Sequence, residues 1–306
     1  MKKIMSAVAL VSLAASVSPA IAVETGMSIY PKGMVGFMSG LLPPQSGLYL
    51  TDTYYHFGGS AGQAVRNGVT ELNVGVNMDA DFLQGTYVTD TKILGGTYAA
   101  AVAVAYAGAN LHANVITPVA TANVRVANSG FGDTIFVPIM LGWHEEKLHW
   151  TAGLSIYTPT AGYNKGELNL GRNVWGFWPQ VGMTWFDPAS GWDISGTAVW
   201  VAMTNNGATD YQSGDLLHFD WAIGRHFGAW EAGIAGNLVH QVNGDTGTGA
   251  RLGAFRAESA GIGPAVNYAT KAGETPLQFG AKWEHDFGHQ NTFGGDVISV
   301  SATAVF

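Results

Sequence analysis

The sequence GDVISVSATAVF, residues 295–306, ends the chain on an aromatic residue and alternates between apolar and polar or small side chains. The even positions from Ile298 to Phe306 are all apolar, and Ser299, Ser301 and Thr303 lie between them. Such alternation over about ten residues predicts a β-strand with one apolar and one polar face. In a transmembrane barrel these faces would meet lipid and lumen, respectively, although a soluble β-sandwich could contain the same strand.

The N-terminus predicts export. Lys2 and Lys3 precede an apolar run at residues 4–17, and Ala20-Ile21-Ala22 is a small-x-small cleavage site. These features predict a secretory signal peptide at residues 1–22; the run is too short for a transmembrane anchor. After residue 22 no apolar run reaches the roughly 20 residues that a membrane helix needs, so a membrane protein of this sequence would be a β-barrel.

The composition agrees with a barrel in a membrane. Charged residues make up 12% of the chain, against about 25% in soluble domains. Glycine occurs 42 times, and Trp, Tyr and Phe occur 10, 11 and 14 times. Aromatic girdles and an apolar outer face account for this bias, whereas a secreted soluble protein needs more charge. The net charge of −8 without basic runs argues against nucleic acid as a partner, and the lack of cysteine excludes disulfides.

Amphipathic segments and their connections predict a transmembrane antiparallel up-and-down β-barrel of about 12 strands over residues 46–306. Short turns alternate in phase with longer links at 58–79, 108–133, 158–173, 204–215 and 242–259. Outer-membrane barrels have this asymmetry, and an even strand count places both termini in the periplasm. The predicted strands are 46–57, 80–91, 97–107, 134–143, 148–157, 174–186, 192–203, 216–227, 230–241, 260–270, 276–286 and the terminal strand.

Residues 23–45 precede the first strand and lack its alternation. They form either a periplasmic tail or a short plug in the barrel mouth. The plug residues would be Met34, Phe37, Met38 and Leu41, which are apolar.

The faces opposite the apolar ones predict the lumen. A small barrel can fill its interior with a satisfied polar network, or it can keep a narrow conduit with polar and aromatic walls. We leave both interpretations open because a narrow specific channel needs both. The predicted lumen or substrate-path residues are His149, Tyr157, Trp178, Gln180, His218, Asp220, His226, Glu231, Lys282 and Glu284.

Other motifs favour no chemistry. Gly58-Gly59-Ser60-Ala61-Gly62 matches the Gly-x-Ser-x-Gly pattern of hydrolases but lacks the helix that must follow it. His144-Glu145-Glu146 and the segment 285–289 have no known metal-ligand spacing. We therefore predict no enzyme, no cofactor and no metal site.

Two stretches resemble a known family. They are Tyr30-Pro31-Lys32-Gly33 with the following 36–50, and Asp79-Ala80-Asp81 with Tyr87 to Gly96. They are similar to the outer-membrane transporter family of the MetA-pathway of phenol degradation (SphA-like). The resemblance implies a barrel with an N-terminal plug and passive uptake of small hydrophobic molecules. The family has no agreed catalytic motif, so no site residue is transferred from it.

The terminal strand is similar to the closing strand of outer-membrane barrels, where it is the assembly signal. This implies contact of Phe306 with the outer-membrane assembly machinery, besides the membrane lipid.

We expect a Gram-negative outer-membrane channel for uptake of small hydrophobic, including aromatic, compounds. The long, nearly uncharged segment 108–133 is the expected capture loop. One alternative is a barrel enzyme of the outer-membrane phospholipase type, which needs a lipid-facing Ser and His within hydrogen-bond reach. Another is a closed structural barrel.

Overall fold

The computed structural model describes residues 24–65, 70–117, 120–251 and 253–306. The predicted signal peptide lies outside these residues. No helix in the described part of the chain is long and apolar enough to cross a membrane. A short 3₁₀ helix at Glu24–Gly26 precedes the sheet. The strands are β1 Gly47–Val65, β2 Thr70–Ile93, β3 Gly96–Thr117, β4 Ala120–Phe131, β5 Thr134–Glu145, β6 Leu148–Thr158, β7 Gly176–Asp187, β8 Trp192–Met203, β9 Leu216–Phe227, β10 Trp230–Gln241, β11 Glu258–Ala272, β12 Thr275–Gln290 and β13 Gly294–Val305.

Twelve of these strands close into an antiparallel barrel. β13 pairs with β12 and with β1, β1 continues to β2 and β3, and β3 pairs with β5. Among the described strands β4 pairs with β3 alone, so it stands outside the closed ring. Closure leaves no unpaired edge around the ring, which is what a sheet in lipid requires. The predicted barrel of about 12 strands is confirmed, with one additional strand.

The alternation places apolar side chains outward, as predicted. In β8, Trp192, Ile194 and Trp200 are exposed, while Asp193 and Ser195 between them are buried. In β13, Ile298 and Val300 are exposed on the outside, whereas Val297 and Ser299 are buried inside. An apolar outer surface is stable only where lipid covers it, and aromatic side chains at both ends of that surface suit the two lipid–water interfaces.

The first strands are longer than predicted. The β1–β2 ladder runs on to the pair Val65–Thr70, and the β3–β4 ladder runs on to Thr117–Ala120. The predicted loops at 58–79 and 108–133 are therefore mostly strands, so the prediction of a loop at 108–133 is wrong. Capture of ligand by this segment stays a prediction. The sheet here extends past the ring that β5 completes, so lipid no longer imposes one apolar face and the alternation weakens.

A β-bulge in β5 changes the facing of one predicted strand. The pairing with β6 shifts between Phe136 and Ile139, opposite Ser155. Val137 is consequently buried and Ile139 is exposed, so they do not share a face as the alternation predicts. Pro138 lies in the bulge, where its missing N–H costs no ladder hydrogen bond.

Candidate functional site in the lumen

Residues 24–44, which we call the plug, lie inside the barrel. At the end with the long loops, Glu24 accepts hydrogen bonds from Asn206 (2.8 Å) and Thr209 (2.7 Å). Towards the end with the short turns, Leu42 packs against the buried Val88 and Ala99. The plug therefore spans the length of the lumen before the chain enters β1.

Asp220 of β9 holds the middle of the plug. Its Oδ2 accepts from the Tyr30 hydroxyl (2.9 Å) and the Val35 N–H (3.1 Å), and its Oδ1 accepts from the Gly33 N–H (3.2 Å). The carboxylate is 2% exposed, so these bonds replace the water it lost. Gly33 has φ +65°, and a Cβ there would lie 2.7 Å from Glu284 Oε2. Only glycine fits this close approach without strain.

Two lysines form further hydrogen bonds and ion pairs between the plug and the barrel wall. Lys32 forms an ion pair with Asp286, donates to the Phe293 carbonyl (3.2 Å) and lies 4.6 Å from the centre of the Phe57 ring. Lys282 of β12 donates to the Val35 carbonyl (2.7 Å) and pairs with Glu284 (3.2 Å). Lys32 belongs to the plug and Lys282 to the wall, and each has a carboxylate of β12 as its ion-pair partner.

The plug is also held at the short-turn end. The Met38 N–H donates to Ser195 Oγ and the Gly40 N–H to Thr184 Oγ1, both at 2.9 Å. A Cβ on Gly40 would lie 2.4 Å from the backbone of Met183 and Thr184, so the plug backbone touches the barrel wall. Wall hydroxyls thus satisfy backbone donors that the irregular plug cannot satisfy itself.

A cavity of about 70 Å³ lies beside the half of the plug nearer the long loops, which we call its outer half. Its walls are mainly apolar and include Tyr55, Phe57, Leu216 and Phe293. Its polar groups include His218, whose Nε2 is 3.0 Å from Ser28 Oγ. An apolar pocket with a few directed polar groups is the usual form of a small-molecule site.

The predicted lumen residues do lie inside the barrel, but most of them contact the plug or other wall residues rather than the cavity. Asp220, Lys282 and Glu284 surround the plug at Gly33 to Val35, and Trp178 meets the Tyr30 ring edge-on at 5.5 Å. Only His218 of the predicted set lines the cavity. A role in a substrate path stays a prediction for all ten. The others are Tyr157, which packs with Trp178; His149, 3.1 Å from His144; Gln180, beside Gly153; and His226 with Glu231, 3.2 Å apart.

The predicted plug residues fill different parts of the lumen. Met34 packs between the clusters around Tyr30 and Tyr55, and Phe37 packs against small residues of β9 to β11. Met38 and Leu41 are half-buried towards the short turns. Sequence reasoning missed Lys32 as an anchor of the plug. Its partner Asp286 lies 254 residues away, so no local pattern predicts the pair.

The long loops contact one another above the cavity. The Tyr211 hydroxyl donates to Asp245 (2.5 Å), and burial together with this carboxylate raises the Tyr211 pKa above its ordinary value. Asp210 accepts from the hydroxyl and the N–H of Thr248, and these bonds lower the Asp210 pKa. The loop 204–215 is thus tied to the loop between β10 and β11.

Comparison with known proteins finds a matching family and barrels of similar structure. Residues 57–302 match the family model described as "Putative MetA-pathway of phenol degradation". The structure is similar to the COG4313 outer membrane channel from Pseudomonas putida F1, with a TM-score of 0.64, 14% identity, and coverage of 91% of this chain and 100% of the other. The transport unit of the autotransporter AIDA-I from Escherichia coli gives a TM-score of 0.47 and 14% identity, covering 88% and 93%. No curated protein matches the sequence.

Proposed function

The chain belongs to the outer-membrane family of the MetA-pathway of phenol degradation, and from this premise we propose that it is a passive channel for uptake of small hydrophobic compounds, including aromatic ones. The family match confirms the resemblance found in the sequence, and the barrel is a protein of the bacterial outer membrane. Substrate class and direction of transport are the proposed part.

The outer cavity is the observation that carries the proposal. Its aromatic side chains Phe57 and Phe293 offer contacts to a ring, and Ser28 and His218 offer hydrogen bonds to a hydroxyl. A phenol has one ring and one hydroxyl. The cavity also lies next to the plug, so a bound compound would touch the segment that fills the rest of the lumen.

Passage in this proposal requires movement of the plug. The cavity holds about 70 Å³, whereas an engineered cavity that binds benzene measures about 150 Å³. A substrate entering past the long loops would therefore displace the outer half of the plug. The polar contacts of Asp220 and Lys32 set the free energy of that displacement.

The test is a flux measurement on the refolded chain without its signal peptide. Phenol crosses simple phospholipid bilayers, so the vesicles carry lipopolysaccharide in their outer leaflet and contain a tyrosinase that converts arriving phenol into a coloured quinone. We expect quinone to form faster than in protein-free vesicles, with saturation at high phenol. Equal rates in the two preparations would reject the proposal.

The chain offers a matched pair of variants for this test. Leu216 is 1% exposed and lines the cavity, whereas its neighbour Leu217 is 38% exposed on the outer face. Leu216→Trp should fill the cavity and slow the saturable flux, and Leu217→Trp should leave it unchanged. A difference in gel mobility between the unheated barrel and the heated chain verifies that both variants fold.

A phospholipase assay on the same sample addresses the enzymatic alternative. On the outer face, His56 pairs with Asp79 (2.8 Å) and His285 with Asp296 (3.0 Å). Neither histidine hydrogen-bonds a serine hydroxyl within the described ranges, and the Ser28–His218 contact lies in the lumen. Release of lysophospholipid by the folded chain would favour the enzyme.

Phe306, whose backbone pairs with Leu48, stays the predicted contact of the assembly machinery.

A further inference from the structure

Three potential ligands converge at the short-turn end of the lumen. His226 of β9 and Glu231 of β10 face each other across the hairpin, and Asp193 of β8 is paired with Gly224, two residues before His226. Because side chains repeat every second residue along a strand, all three project to the inside of the barrel. Their ligand atoms lie within 4.8 Å of one another.

The atoms that converge have no other partner among the residues that the structure describes. Asp193 Oδ2, His226 Nε2 and Glu231 Oε1 are buried there and make no hydrogen bond. The second carboxylate oxygens are occupied, since Asp193 Oδ1 accepts from Ser195 (3.2 Å) and Glu231 Oε2 accepts from Asn267 (3.1 Å). Within the described parts of the chain neither carboxylate has a lysine or arginine within 4.0 Å. Unpaired buried carboxylates are costly, so this arrangement needs a compensating positive charge.

We propose that Asp193, His226 and Glu231 bind one divalent transition-metal ion, with Zn²⁺ as the best match. His226 Nε2 lies 3.2 Å from Glu231 Oε1 and 3.9 Å from Asp193 Oδ2. In a tetrahedral zinc site with bonds of about 2.1 Å the ligand atoms lie about 3.4 Å apart, so small side-chain shifts suffice. Two carboxylates balance the charge of the ion, and an imidazole ligand favours Zn²⁺ over Ca²⁺ or Mg²⁺.

The surroundings give the ion a way in and a connection to the plug. The His226 side chain is 33% exposed and Asp193 is fully buried, so the ion enters from the short-turn mouth. A Cβ on Gly224 would lie 2.5 Å from Asp193 Oδ2 and 2.8 Å from the Phe37 ring of the plug. The site therefore connects β8, β9 and β10 next to Phe37 of the plug. Because its ligands come from three strands, no spacing in the sequence predicts it, and the expectation of no metal site is revised by this proposal.

Cobalt titration of the complete mature chain tests the site. The untagged, refolded barrel is stripped with a chelator and titrated with Co²⁺, whose visible absorption reports four-coordinate binding. We expect saturation at one ion per chain and loss of the absorption when Zn²⁺ is added. Asp193→Asn and Glu231→Gln, which keep the side-chain shape, should each abolish the saturable absorption.

The control is a histidine–carboxylate pair outside the lumen. His240 and Glu258 are 3.2 Å apart with side chains 55% and 54% exposed, so His240→Ala should leave the titration unchanged. Zn²⁺ should also raise the unfolding midpoint of the original chain and of His240→Ala but not of the two carboxylate variants. The proposal is overturned if the folded chain shows no saturable Co²⁺ absorption, as expected if Asp193 and Glu231 merely share a proton. It is equally overturned if the absorption survives in both carboxylate variants.

Discussion

The middle of the lumen and its outer part hold the plug in different ways. In the middle, Asp220, Lys282 and Asp286 bind the plug through hydrogen bonds and ion pairs, and close contacts at Gly33 leave no space. In the outer part, apolar side chains such as Phe293 surround a cavity. Directional polar contacts fix one position of the plug, whereas apolar walls accept any ligand of suitable size. In the proposed channel, closure and ligand binding therefore belong mainly to different levels of the same lumen. Tyr30 and Lys32 connect the two levels, because they line the cavity and also bind Asp220 and Asp286.

Removing the plug removes both its polar contacts in the middle of the lumen and its apolar contacts in the outer part. This change should have the largest effect on permeability. Deletion of residues 23–44 from the mature chain leaves the charged wall around Asp220 open to water. We expect faster swelling of liposomes in small neutral sugars, because water and solute then occupy the volume of the plug. The heat-dependent gel shift of the barrel is the folding control. Swelling at the rate of the intact chain would show that the plug does not limit passage.

Weakening only the middle level should have the next largest effect. Asp220→Asn places an amide NH₂ against N–H and hydroxyl donors of the plug, and losing a bond to a charged acceptor costs about 1.5–3 kcal/mol. This free energy corresponds to an open population about 10- to 100-fold larger, measured as open time in planar bilayers. Asp215→Asn is the control, since its side chain makes no hydrogen bond among the described residues. Equal open times for both variants would contradict the role of Asp220.

Two plug glycines give a sharper and smaller perturbation of the same level. Gly33→Ala introduces a Cβ at φ +65° against Glu284, whereas a Cβ on Gly36 meets nothing within 4 Å. The left-handed conformation costs an L-residue about 1–2 kcal/mol, so Gly33→Ala should raise open time roughly tenfold. Gly36→Ala should have little effect. If the two variants behave alike, the close contact at Gly33 does not hold the plug.

The wall of this lumen was more predictable than its contents. The strands Trp192–Met203 and Leu216–Phe227 have the predicted bounds because lipid on one side and the plug on the other impose strict alternation. The same rule placed Asp220 and Glu284 inside. It failed at Gly58 to Gly62, where β1 extends past the closed ring and the pattern fades although the backbone ladder continues.

The function of each inward residue depends on contacts that have no local pattern. Asp220 meets Tyr30 across 190 residues, and Lys32 meets Asp286 across 254. The sequence predicts an apolar plug, but no local pattern in it shows which wall residue each plug residue meets. His226 and Glu231 could have been paired from the two-residue turn between them, whereas Asp193 comes from a different hairpin.

The loops above the cavity should respond weakly to acid, which makes them the smallest expected effect. Donation from Thr248 lowers the Asp210 pKa below its ordinary value of 3.8 in the folded chain. The stabilisation by this carboxylate is therefore fully present above pH 3.8 and is lost as the pH falls through the lowered pKa. The effect is small because Asp210 is close to solvent. The amide protection factor of Thr248 should decrease over this acidic range in the original chain and stay constant in Asp210→Asn. A parallel decrease in both chains would assign the acid response to another group.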